Sequence, residues 1–178
     1  MKKIIIFLTI FFLTTSTIRA EEIKRIVVGN KDAKITIIAF ESLTCSHCAN
    51  FHKDVYPQLK NEYIDTGLAK IEFRHFPLDI AAFNASKVSQ CRNDGNSNIL
   101  DSLFLNQQKW VKGSTAEEAN DHLKIFLADE GIIVDFNKCI NNKKLEDFVL
   151  NDRIEGVKKF KVNSTPTIII NNEKFDKS

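Results

Sequence analysis

The chain has 178 residues, 43% hydrophobic and 27% charged, with only 6 glycines and 3 prolines. That is the balance of one globular domain with room for an insertion, and it excludes fibrous and low-complexity architectures. The net charge of +2 is no nucleic-acid footprint, because Lys2, Lys3 and Arg19 fall in an acid-free stretch of 20 residues and leave 22 basic against 23 acidic side chains in the remainder.

In chain order, Lys2 and Lys3 precede an apolar run over 4–13, a polar stretch over 14–17, and Ile18-Arg19-Ala20. This is the pattern of an export signal cleaved after Ala20. An uncleaved anchor is the other reading, but the apolar core is about half the ~20 residues that span a bilayer. The mature domain is then 21–178, exported and soluble. Residues 26–28 read as a short strand before a turn at Gly29-Asn30-Lys31-Asp32. The continuous apolar run over 35–40 suits a strand buried on both faces. Thr44 stands as a helix N-cap, and Cys48, Phe51, Val55 and Leu59 follow at helical spacing, with a kink expected at Pro57 and a stop at Gly67. Residues 69–76 alternate as a strand, so 35–76 predicts a parallel βαβ unit with a right-handed crossover.

The pattern over about 79–160 is helical throughout. The expected helices are 79–92, 98–110, one capped by Ser114-Thr115-Ala116-Glu117-Glu118 and ended by Gly131, 135–140, and 144–160, the last bending or ending near Gly156. Residues 167–170 read as a short buried strand, Asn171-Asn172 as a turn, and 173–175 as the start of a hairpin partner.

All four cysteines, Cys45, Cys48, Cys91 and Cys139, lie after the export signal. A disulfide across Cys45-Ser46-His47-Cys48 closes too small a loop to restrain the unfolded chain, so this pair is the candidate for chemistry. It directly follows a buried strand and opens a helix, whose unpaired N–H groups and partial positive charge stabilise a thiolate on Cys45. Cys48 lies one turn deeper. His47 adds positive charge or an N–H donor beside Cys45, which stabilises the dithiol and makes the disulfide form the oxidant. The competing reading is half a zinc site, but neither Cys91 nor Cys139 has a neighbouring ligand at metal spacing. His52 is placed on the surface of the helix. Cys91 and Cys139 both fall in the helical segment and read as a disulfide pinning two helices, or else as two buried free thiols. His75 and His122 are expected to be structural or solvent-facing.

The runs Val28-Gly29-Asn30-Lys31-Asp32-Ala33-Lys34-Ile35-Thr36-Ile37 and Phe40-Glu41-Ser42-Leu43-Thr44-Cys45-Ser46-His47-Cys48 resemble the DsbA-like thiol–disulfide oxidoreductases of the thioredoxin superfamily. So do Tyr63-Ile64-Asp65-Thr66-Gly67 with Phe73-Arg74-His75-Phe76-Pro77-Leu78, and Ser164-Thr165-Pro166-Thr167 resembles that family's cis-proline motif. The resemblance implies an α/β thioredoxin-like fold with an all-helical insertion. It implies that Cys45 is the exposed nucleophile, Cys48 the resolving thiol, and Thr165-Pro166 a substrate-binding element facing them. The cofactor is then the redox-active disulfide Cys45–Cys48 itself, with no metal. The implied compartment is the periplasm, and the implied partners are reduced exported proteins as substrates and a membrane quinone-coupled reoxidant. The alternatives are a disulfide isomerase or reductase, or a non-catalytic binding module.

Three positions depart from the family pattern. Ser46-His47 stands where well-known members have Pro-His. Ala39 occupies the place of an acidic residue six before the first cysteine, and Glu41, two residues later on the same side of the strand, is the candidate proton carrier in its stead, or else a surface residue. The chain also stops soon after the last turn, so the C-terminal helix expected of the family is missing and 168–170 are expected to be thinly covered.

Overall fold

The structure, a computed structural model, describes residues 22–176; the export signal lies outside the described residues. Its sheet has the order β1 (Ile26–Gly29), β3 (Ala69–His75), β2 (Ile35–Glu41), β4 (Thr167–Ile170), β5 (Glu173–Lys174). Strands β2 and β3 run parallel, and the other neighbours are antiparallel. The crossover from β2 to β3 is one helical run of α1 (Ser46–Asn50), a π-helical turn Phe51–Val55, α2 (Tyr56–Leu59) and a second π-helical turn Lys60–Ile64. Pro57, which has no N–H to donate, sits in the first turn of α2, and the wider turns on either side carry the run past it. Asn171 and Asn172 take φ of 48° and 71°, the left-handed pair that lets a two-residue turn follow the strand twist into β5.

Between β3 and β4 come α3 (Ile80–Gln90), α4 (Asn98–Leu105), α5 (Gln107–Trp110), α6 (Ala116–Asp129), α7 (Phe136–Ile140) and α8 (Lys143–Phe160). The helix expected over 98–110 is thus two, divided at Asn106, whose backbone leaves helical geometry (φ −121°, ψ 26°). Thr115 and Glu118 complete a capping box for α6. Among the described residues no helix is long and apolar enough to cross a membrane.

Strand β2 is buried on both sides because a different core covers each face. Ile37 and Ala39 join a large core with Cys48, Tyr56, Phe73, Phe104 and Trp110. Ile38 and Phe40 join a smaller one with Phe76, Phe160, Val162 and Ile169. Helix α8 closes this second face without ending at Gly156. A Cβ there would lie 2.9 Å from Phe40 Cε1, so the glycine is required by close packing and not by a bend. The fully buried Asp152 of α8 accepts hydrogen bonds from Arg25 Nη1 at 2.5 Å and the His75 backbone N–H at 3.1 Å, and Arg74 Nη1 lies 3.3 Å away, tying α8 to β3 and to the segment before β1.

Candidate active site

The C-terminal end of β2 delivers the chain into the cysteine motif. Cys45 occupies the N-cap position of α1 in extended conformation (φ −78°, ψ 118°). Thr44, expected to cap the helix, instead donates its hydroxyl to Asp79 Oδ2 at 2.6 Å. Asp79 is itself the N-cap of α3 and accepts from the Ala82 N–H, so the motif loop is tied to the start of the insertion. From the insertion, Gln107 Nε2 donates to Leu43 O at 2.7 Å and to Cys45 O at 3.0 Å. It fixes two carbonyls of the motif loop, and nothing in its sequence position announced that.

Cys45 and Cys48 are unbonded thiols in contrasting surroundings: Cys45 is half-buried, Cys48 fully buried. The Cys45 thiol donates to Thr165 O at 3.3 Å, and the Thr165–Pro166 bond is cis, so the late loop faces the first cysteine across a separation of 120 residues. His47 is exposed at the first turn of α1. Burial pushes the Cys48 thiol well up, and the Glu41 carboxylate pushes it further, while the Ser42 backbone N–H opposes them. An open groove of about 560 Å³ runs beside Pro166, walled by Phe51, Val55, Leu59, Ile168 and Phe175. Strand β5 pairs with Ile169 and Ile170, and the Phe175 N–H reaches Ile168 O.

Glu41 is buried, 4% exposed, and its Oε2 lies 2.9 Å from His52 Nε2. This corrects the surface placement of His52: the ring is 2% exposed and stacks on Phe104 with centroids 4.1 Å apart. Its other nitrogen, Nδ1, lies 3.3 Å from Asp101 Oδ1 on α4. Burial pulls the imidazole down, but Glu41 and Asp101 together outweigh it and raise His52 to about 9. Burial raises Glu41 above the usual carboxylate range, with His52 opposing. The signal in the sequence is that His52 is the i+4 neighbour of Cys48 and so shares its buried face. Asp101, 49 residues further along, carries no such signal.

Cys91 and Cys139 are joined in a disulfide with Cα atoms 5.4 Å apart, linking the end of α3 to α7. His75 is buried, its ring nitrogen 3.1 Å from Gln90 Nε2, and burial lowers it to about 4. Among the described residues no group of three or more His, Cys, Asp or Glu is arranged to hold a metal ion.

A family model described as thioredoxin matches residues 21–178. The solved structure of Wolbachia pipientis alpha-DsbA1 is 31% identical, superposes with a TM-score of 0.72, and is matched over 86% of this chain and 79% of its own. The chain belongs to the DsbA-like thiol–disulfide oxidoreductases of the thioredoxin superfamily. A Rickettsia bellii protein provisionally named a protein-disulfide oxidoreductase is 30% identical over 152 residues, which is 82% of this chain and 56% of that protein. The chain spans about half the length of such curated Rickettsia relatives. A protein-disulfide isomerase structure from Novosphingobium aromaticivorans, at 19% identity and a TM-score of 0.78 over 89% of this chain and 92% of its own, shares the fold alone. Members of this DsbA-like family work through a cysteine pair and no separate cofactor, and the Cys45–Cys48 arrangement is of that kind.

Proposed function

We propose that this chain is a single exported domain, 21–178, that donates the Cys45–Cys48 disulfide to thiols of other exported proteins. The observation that carries this is the asymmetry of the pair. Cys45 is half-buried, stands at the N-cap position of α1 and faces Thr165, whereas Cys48 is buried and disfavoured as a thiolate. A substrate thiolate attacks Cys45 Sγ, the Cys45–Cys48 bond breaks, and Cys48 leaves with the electron pair and takes a proton. A second substrate thiolate then attacks the substrate sulfur of the mixed disulfide and releases Cys45 as thiolate. The groove beside Pro166 offers an extended substrate chain an apolar seat on the side of the cis-proline loop, whose Thr165 carbonyl meets Cys45. His47, two residues after Cys45, is exposed at the first turn of α1. The name of the Bacillus subtilis relative, disulfide bond formation protein D, 27% identical over 68% of that protein, agrees with this direction. A quinone-coupled membrane protein of the periplasm is the proposed reoxidant.

The test is refolding of a reduced, disulfide-containing substrate with purified oxidised protein, run beside Cys48→Ser. Wild type should oxidise the substrate in one exchange, and Cys48→Ser, pre-charged at Cys45 with glutathione, should accumulate a substrate disulfide bonded through Cys45 alone. A folded wild type that leaves the substrate reduced makes this chain a binding module.

A further inference from the structure

Resting on exchange at Cys45–Cys48, we infer that His52 and Asp101 are positioning residues for that exchange: together they hold a cation beside Glu41, so that Glu41 serves Cys48 as a carboxylate inside a buried site. Three elements converge here: Glu41 ends β2, His52 comes from the first π-helical turn, and Asp101 comes from α4 of the insertion. Glu41 Oε2 is occupied by His52 at 2.9 Å, while Oε1 is buried without a partner. An isolated carboxylate in that position would be driven to its neutral form. His52 opposes this from Oε2, and the half-buried Asp101, fixed by Ser97 Oγ at 2.7 Å, sets Oδ1 3.3 Å from the other imidazole nitrogen, an ion-pair contact without hydrogen-bond geometry that favours the charged ring although its own charge acts against ionising Glu41. The titratable groups facing the pair are Cys48 of α1, Tyr56 of α2 and Asp101 of α4. Among the described residues His52 is the only cation acting on Glu41.

The step served is closure of the active disulfide. When a small disulfide RSSR oxidises the dithiol, the Cys45 thiolate attacks it and RS⁻ leaves. Cys48–SH then passes its proton to the Glu41 carboxylate, and the new thiolate attacks Cys45 Sγ. The Cys45–Cys48 bond forms, the Cys45–SR bond breaks, and the second RS⁻ leaves with the electron pair. Two cysteines are oxidised and one RSSR is reduced. Donation runs the proton the other way, from Glu41 to the departing Cys48 sulfur. The cation matters most in closure, where it keeps the accepting carboxylate ionised to lower pH.

The experiment measures closure of reduced full-length mature protein by glutathione disulfide, acid-quenched and resolved by mass, across pH 5 to 9, for wild type and His52→Gln. The acid limb should move up by about one pH unit in His52→Gln, that is, about tenfold slower closure on the limb, with the two rates converging at high pH. A merely structural His52 would lower the melting temperature and leave the limb in place. That result, or a uniform loss at every pH, overturns the proposal. If His52→Gln does not fold, the imidazole signals of wild type and of Asp101→Asn, at a partly exposed position, decide by NMR titration. His52 should lose its proton at about 9 in wild type and closer to neutral in Asp101→Asn. A wild-type midpoint at or below the ordinary 6.5, or no shift in Asp101→Asn, overturns it. A folded wild type that never closes with glutathione disulfide at any pH instead overturns the exchange reading on which the inference rests.

Discussion

Replacing Gly156 by alanine sets two opposed effects against each other in the middle of α8. By helix propensity alone, alanine should stabilise an 18-residue helix by about 1 kcal/mol over glycine. The packing opposes this. The added Cβ would stand 2.9 Å from Cε1 and 3.1 Å from Cδ1 of Phe40, and 3.3 Å from Cδ2 of Phe76. Phe40 is fully buried on β2 against Phe160, centroids 5.7 Å apart, so its ring has no free space to swing into. Overpacking of this kind costs about 1–3 kcal/mol. The net expectation is a loss of about 1 kcal/mol, read as a melting temperature about 2–4 °C lower for a domain of this size. Thermal and urea unfolding of Gly156→Ala, Phe40→Leu and the double variant form a complete cycle. In the Phe40→Leu background the ring is gone, so the same alanine should be neutral or stabilising. A Gly156→Ala protein more stable than wild type would refute the packing account of this glycine.

Replacing Cys91 and Cys139 together by alanine opens a link between residues 48 apart, which should cost about 4 kcal/mol by the chain-entropy estimate. Disulfide exchange at Cys45 should survive below the lowered melting temperature; equal urea midpoints for wild type and the double variant would contradict this. His75, buried and lowered to about 4 from an ordinary 6.5, should make the protein less stable as the pH is lowered. Unfolded chains take up the proton below about 6.5 and the folded protein only below about 4, so stability is lost across that window and is level above it. His75→Gln, which cannot titrate, should flatten the urea midpoint between pH 7 and pH 4.5 relative to wild type; parallel curves would count against it.

Periodicity determined the βαβ unit, the helical segment after it and the final hairpin. Each is a local statement: a run buried on both faces, a 3.6-residue spacing, or a turn that needs left-handed residues. The Cys45-Ser46-His47-Cys48 motif was legible for the same reason, because four consecutive residues at a strand-to-helix junction carry their chemistry with them. Thr165-Pro166 was legible only through resemblance to a family. Its meeting with Cys45 is a contact across 120 residues, which no local pattern encodes. Sequence alone leaves Glu41 between surface and site; its burial against His52 decides it. A charged residue near a strand end reads the same in either setting, and its burial depends on what the rest of the chain brings to cover it. His52 was misplaced because a histidine is expected on a helix surface, and the carboxylate that makes its burial tolerable comes from another element. Asp101 and Gln107 lie in helices that sequence marks only as amphipathic. It is the folding of the insertion back over α1 that carries one to the far nitrogen of His52 and the other to the carbonyls of Leu43 and Cys45. Gly156 shows the same division: the sequence offered a helix breaker, and the approach of β2 to α8 made it a packing requirement, because only the tertiary structure decides how near two backbones come.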